Sequence, residues 1–166
     1  MRVGKFALSY ASVVLQDVLR SAAEACESPA QSKGVELRVL LPGAPIEVEL
    51  DQARIHQVVV NLLRNAIKFT PPTGWVALLA TIDSAHVVIQ VRDNGIGISA
   101  ELLPRIFDMF TQAEGASSAR GAGFGVGLAV AKDIVALHRG SLEVRSEGIG
   151  LGSEFAVRLP VRRPAD

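Results

Sequence analysis

Residues 51–70 read DQARIHQVVVNLLRNAIKFT, and the rest of the chain is arranged around them. Ile55, Val58, Val59, Leu62, Leu63, Ala66 and Ile67 recur at steps of three and four, so they share one broad helical face. That face is expected to bury against a sheet. Gln57, Asn61, Asn65 and Lys68 fall on the opposite stripe. Two amides and an ammonium aligned on one helix face are able to ligate a metal and meet a phosphate. A polar stripe alone is more often a solvated face, so its meaning depends on the motifs downstream. Asp51 is a good N-cap for this helix, and Pro71, Pro72 and Gly74 stop it.

Upstream, Val14, Leu15, Val18, Leu19, Ala22, Ala23 and Cys26 form the apolar stripe of a helix expected over 9–28, ended by Pro29 and Gly34. Residues 35–41 read as a half-buried strand and 46–50 as a short second one, with a turn at Pro42-Gly43-Ala44-Pro45. Downstream, 75–82 and 85–91 are β-branched, apolar runs joined by Asp83-Ser84, hence a hairpin. Ser99 caps a short helical piece over 100–106. Residues 107–123 are rich in Gly, Ala and Ser, with Phe107 and Phe110 as apolar anchors, and read as a long lid or binding loop. A helix is expected over 125–137, then strands over 141–146 and 153–159 and a polar tail over 161–166.

With 166 residues the chain suits a single domain, its core at about 9–160. At 49% hydrophobic and 20% charged residues it is globular rather than disordered. A formal net charge of zero gives no basic field and argues against a nucleic-acid binder. Cys26 is the only cysteine, which excludes a disulfide framework, and it reads as a small buried residue. His56, His86 and His138 have no metal-ligand spacing; His56 and His138 read as surface helix residues and His86 as a strand residue. No apolar run is long enough to span a membrane, so no membrane contact is expected of this domain. It should sit in the cytoplasm, where a membrane-anchored parent can also carry it.

Two glycine motifs carry the chemistry. Asp93-x-Gly95-x-Gly97 follows a strand: a half-shielded carboxylate there can accept from an exocyclic amine, and the glycines let backbone approach a flat ring. Gly121-Ala122-Gly123-Phe124-Gly125-Val126-Gly127 opens a helix, where consecutive N–H groups suit phosphate. No Gly-Lys-Ser/Thr follows, so it is not a P-loop, and no βαβ unit surrounds it. A plain turn and a flexible hinge are the bland readings of these two segments taken singly.

Taken in order, NLLRNAIKFT, RDNGIGIS, LPRIFDMFTQ and GFGVGLAVAKDIVALHRGSLEVRSEGIGLGSEFAVRLP resemble the N, G1, F and G2 boxes of the catalytic and ATP-binding domain of bacterial sensor histidine kinases. The wider superfamily includes the gyrase B subunit, Hsp90 and MutL. The resemblance implies an α+β fold: a two-layer α/β sandwich of the Bergerat type, with a mixed sheet of about five strands and three main helices on one face. It implies that the domain binds ATP with Mg²⁺. Asp93 would accept from the adenine amine, with Gly95, Gly97 and Ile98 near the ring. Asn65 would hold Mg²⁺, supported by Asn61, while Lys68 would reach phosphate and Phe69 would pack over the nucleotide. Gly123, Phe124, Gly125, Val126, Gly127 and Leu128 would form the phosphate loop, and Arg120, in a lid at about 107–124, would contact the γ-phosphate.

In the superfamily's ATPases and serine kinases a glutamate base usually stands one turn before the metal-binding asparagine. Asn61 stands there instead, and an amide cannot take a proton at neutral pH. The resemblance therefore implies transfer to a histidine supplied by the dimerisation and phosphotransfer domain of the same parent kinase, and indirectly to a response regulator receiver domain. None of the three histidines has the His-Glu or His-Asp context of that acceptor. Phe124 stands where the family commonly has a small residue or threonine. A hydrolase or serine kinase of the same fold, and a nucleotide-sensing module, are the alternative readings.

Overall fold

The computed structural model describes residues 7–108 and 118–165, and the side chains of 118–126 lie outside that description. Seven strands are present among the described residues: β1 (Ala11–Val14), β2 (Glu36–Leu40), β3 (Glu47–Leu50), β4 (Trp75–Ile82), β5 (His86–Asp93), β6 (Ser141–Arg145) and β7 (Ser153–Pro160). The helices are α1 (Leu15–Ala25), α2 (Glu27–Lys33), α3 (Gln52–Lys68) and α4 (Ser118–Leu137). A five-stranded sheet runs β2-β4-β5-β7-β6, and β1 and β3 form a separate two-stranded ribbon. Only β2 and β4 are parallel; the other pairs of the main sheet are antiparallel, so it is mixed, as expected.

The helix α3 forms for the reasons its sequence gives. The Asp51 carboxylate accepts from the Arg54 N–H at 3.1 Å, capping the first turn. Ile55, Val58, Val59, Leu62 and Leu63 are fully buried. They meet Val76, Leu78, Val87, Ile89, Val91, Phe155 and Val157 from the facing sheet in one core. Each such side chain contributes about 1.5–3 kcal/mol by leaving water. Helices α1 and α4 pack against α3, which completes the two-layer sandwich.

The first helix departs from its expected span. Residues 11–14 are extended, because Val13 and Val14 pair with Val48 and Glu47 in an antiparallel ladder. Their apolar spacing suits a helix, but β-branched residues suit a ladder better once a partner is present. Pro29 does not end the helical region either. After a break at Cys26 a second helix begins, and Pro29 sits in its first turn, where a missing N–H costs nothing. Gly34 does end it, in the left-handed conformation at φ 82°.

Two further expectations change. Helix α4 starts at Ser118, not at residue 125, so 118–123 belong to a helix rather than to a loop. Ser-Ala-Arg and Ala122 are acceptable helix formers, which carries the pattern back through the glycines. At the start of the expected polar tail, Val161 is bonded to Ala85 and Glu49, and the Arg163 guanidinium lies 4.8 Å from the Tyr10 ring. His138 is not on the surface. It is 2% exposed, its Nε2 accepts from the Asp51 N–H at 3.1 Å, and its Nδ1 lies 2.9 Å from the Ile134 carbonyl. Its partner is 87 residues away, beyond the reach of helical spacing. No helix among the described residues is long and apolar enough to cross a membrane.

Candidate functional site

The last three turns of α3 present Asn61, Asn65 and Lys68 to a cleft of about 220 Å³, also lined by Arg64, Gly127 and Leu128. Asn61 donates through Nδ2 to the Gly127 carbonyl at 3.2 Å, tying α3 to α4. Asn65 is 9% exposed, and its side-chain oxygen is the one buried side-chain polar atom among the described residues without a hydrogen-bond partner. Such an oxygen costs about 1–3 kcal/mol unless something comes to meet it. A hard cation with water and phosphate oxygens in its remaining positions is the partner its chemistry fits.

Lys33 fixes the end of this helix. Its ammonium donates to the Ile67 and Lys68 carbonyls at the C-terminus of α3, where a positive charge also complements the helix dipole. Burial, and then the charge of Lys68, hold its pKa below the usual lysine range. Phe69 follows, half-buried, with its ring 5.8 Å from the Lys68 ammonium. The Phe69 carbonyl accepts from the Ile96 N–H at 3.0 Å, so the end of α3 is stitched to the glycine motif after β5.

That motif surrounds Asp93, the last residue of β5 and 8% exposed. One carboxylate oxygen accepts from the Gly95 N–H at 2.8 Å and the other from the Ser153 hydroxyl at 2.9 Å. Burial pushes the Asp93 carboxyl above its ordinary range, and these hydrogen bonds partly offset the rise. Gly95 is required by space, since a Cβ there would run into the Phe69 carbonyl oxygen. Gly97 is required twice over: φ is 76°, and a Cβ would strike the Gly148 carbonyl. Ile98 is 5% exposed and Leu128 1%.

The structure thus brings Asn61, Asn65, Lys68, Gly127 and Leu128 to one cleft. Asp93, Gly95, Gly97 and Ile98 belong to the adjoining motif, and Phe69 joins the two groups. The backbone at Arg120, Gly123, Phe124, Gly125 and Val126 lies in α4, with their side chains outside the described residues; 109–117 lie outside entirely. Gly127 and Leu128 fall inside α4, where backbone N–H groups are committed to carbonyls four residues back. At the base of the expected lid, Phe107 packs edge-on against Phe155, with ring centroids 6.2 Å apart, under the Lys132 ammonium at 4.6 Å.

Sequence reasoning missed Arg64, Lys33 and Ser153. Helical spacing from Asn61 was signal enough for Arg64, whose charge also partly offsets the rise that burial imposes on the Cys26 thiol. Lys33 and Ser153 had none, because they act across the fold. Ser153 meets Asp93 only through the β5–β7 register, which pairs the two directly.

Fold and cleft together define a nucleotide-binding α/β sandwich. The chain belongs to the histidine kinase-, DNA gyrase B-, and HSP90-like ATPase family, whose model matches residues 50–163. It is 37% identical over 166 residues to the non-motile and phage-resistance protein of Caulobacter vibrioides, covering 98% of this chain and 20% of that protein. It is 35% identical over 167 residues to the autoinducer 2 sensor kinase/phosphatase LuxQ of Vibrio parahaemolyticus, with 96% and 19% covered. Among solved structures, full-length ShkA in complex with AMPPNP superposes with a TM-score of 0.82 at 33% identity, over 97% of this chain and 33% of that one. Within the family the chain is a catalytic and ATP-binding domain of the sensor histidine kinase type, as its four motifs imply. It spans about a fifth of the length of these curated relatives.

Proposed function

We propose that this domain binds Mg·ATP and transfers the γ-phosphoryl group to a histidine on the dimerisation and phosphotransfer domain of its parent kinase, in the cytoplasm, for relay to a receiver domain. The observation that carries the proposal is the orphaned Asn65 oxygen beside Lys68 in one cleft, on a helix whose end is bonded to the glycine motif that follows the buried Asp93 carboxylate. Asp93 would accept from the adenine amine. Asn65 would hold Mg²⁺ with the assistance of Asn61, and Lys68 would meet phosphate. When bound, the metal would supply charge neutralisation at the phosphates. The residues of this chain supply position and charge, and the nucleophile comes from the partner domain.

Asn61 favours a kinase over a hydrolase. No carboxylate lines the cleft among its described residues, so water would meet no base there. Contact between phosphate and the N–H groups of Gly123 to Leu128 requires the first turns of α4 to unwind. The glycines make that inexpensive, at about 1 kcal/mol each relative to alanine. The test is a phosphotransfer assay with the acceptor domain of a related kinase. Acid-labile label on the acceptor supports the proposal. ATP binding with no transfer to any acceptor would support a nucleotide-sensing module, and release of free phosphate a hydrolase.

A further inference from the structure

The turn between β6 and β7, residues 146–152, lies backbone to backbone against the glycine motif after β5. The Gly150 N–H donates to the Ile96 carbonyl at 2.7 Å, and the Gly152 N–H to the Gly95 carbonyl at 3.2 Å. Gly152, at φ 72°, sits so close that a Cβ would run into the Asp93 carbonyl. One side chain joins the two segments. The Ser146 hydroxyl donates to the Gly152 carbonyl at 2.7 Å and accepts from the Ile98 N–H at 3.0 Å and the Gly148 N–H at 3.3 Å. One donated and two accepted bonds use the full capacity of a hydroxyl.

These bonds do nothing for the sheet. The β6–β7 ladder ends at Arg145 paired with Glu154, and Ser146 is the next residue out. Its hydroxyl acts on the turn and on the backbone of Ile98, at the end of the segment that carries Gly95 and Gly97. We infer that Ser146 is a positioning residue for adenine recognition: it clamps the β6–β7 turn behind the Asp93–Ile98 segment and so sets the shape of the surface that receives the ring.

The inference rests on the nucleotide reading above, and the test separates the two. ATP, ADP and AMP are titrated calorimetrically into the wild-type chain and into Ser146→Thr and Ser146→Val. The two variants have nearly the same shape and differ in the hydroxyl. We expect Ser146→Thr to bind all three nucleotides within about twofold of wild type. We expect Ser146→Val to stay folded and to lose roughly five- to twentyfold for all three alike, because they share the adenosine monophosphate portion that carries the ring. Wild-type affinity in Ser146→Val overturns the assignment. So does an equal loss in both variants, or a loss for ATP that spares AMP. A wild-type chain that binds no nucleotide overturns the nucleotide reading itself.

Discussion

The two parts of the candidate site are finished to different degrees. Around Asp93 both carboxylate oxygens accept, and Gly95, Ile96 and Ile98 are held by Phe69, Ser146, Gly150 and Gly152. At the end of α3 the buried Asn65 oxygen has no hydrogen-bond partner, and the facing helix begins in a glycine-rich run. The difference suggests a division of labour. On the proposed function, the adenine half would be formed in advance and would lose little entropy when a ring arrives. The phosphate half would be completed by what it binds, and its strength would then depend on metal and on the length of the phosphate chain.

Four experiments break or sharpen this contrast. The largest effect is expected for Asp93→Asn, with loss of ATP affinity on the order of 100-fold, about 2–3 kcal/mol, in calorimetric titration. Because burial raises the folded-state pKa of Asp93, its ionised form costs stability at neutral pH. The melting temperature of the Asn variant should therefore hold or rise while binding fails. A variant that fails by unfolding would contradict a preformed adenine half.

Next is Asn65→Ala. It should abolish the Mg²⁺ enhancement of ATP binding, on the order of tenfold, and leave AMP binding alone. Equal losses for ATP and AMP would mean that the two halves do not act separately. The third, Asn61→Glu, places a carboxylate beside the phosphates and should add measurable ATP hydrolysis, read as phosphate release. Hydrolysis no higher than wild type would remove the reason for reading Asn61 as the choice of a kinase over a hydrolase.

The smallest effect lies outside both halves, at His138. Burial lowers its pKa below the ordinary 6.5, and the Ile134 carbonyl and the Asp51 charge offset this only in part. The unfolded chain therefore takes up a proton near pH 6.5 that the folded chain resists. The contribution of neutral His138 is intact above that pH and declines as the pH falls from about 6.5 toward the folded-state value. Melting temperature should drop by a few degrees between about pH 7.5 and 5.5, and less in His138→Gln. Parallel curves for the two proteins would remove His138 as the cause.

Much of this was legible in the sequence, and the reason is locality. Helix α3 carries its cap, its buried face and its polar stripe within 20 consecutive residues, so spacing put Asn61, Asn65 and Lys68 on one face, and the motifs downstream gave that face its meaning. Asp93, Gly95 and Gly97 at a strand end are local features too, though a plain turn reads the same way until the other motifs stand in order beside them. What escaped depends on distant pairing. Val13 and Val14 suit a helix until Glu47 and Val48 lie beside them. His138 looks exposed until Asp51 arrives, and Ser153 means nothing without the register that sets it against Asp93. The start of α4 escaped for another reason: glycines at alternate positions are as compatible with a loop as with a weak helix, and local spacing does not choose between them.

The division between the halves is tested most directly by titrating AMP and ATP into the unmodified chain, each with and without Mg²⁺. We expect AMP to bind with an affinity indifferent to Mg²⁺, and ATP to bind more tightly than AMP only when Mg²⁺ is present. ATP binding that ignores Mg²⁺, or AMP that fails to bind where Mg·ATP succeeds, would contradict a preformed adenine half and a metal-completed phosphate half.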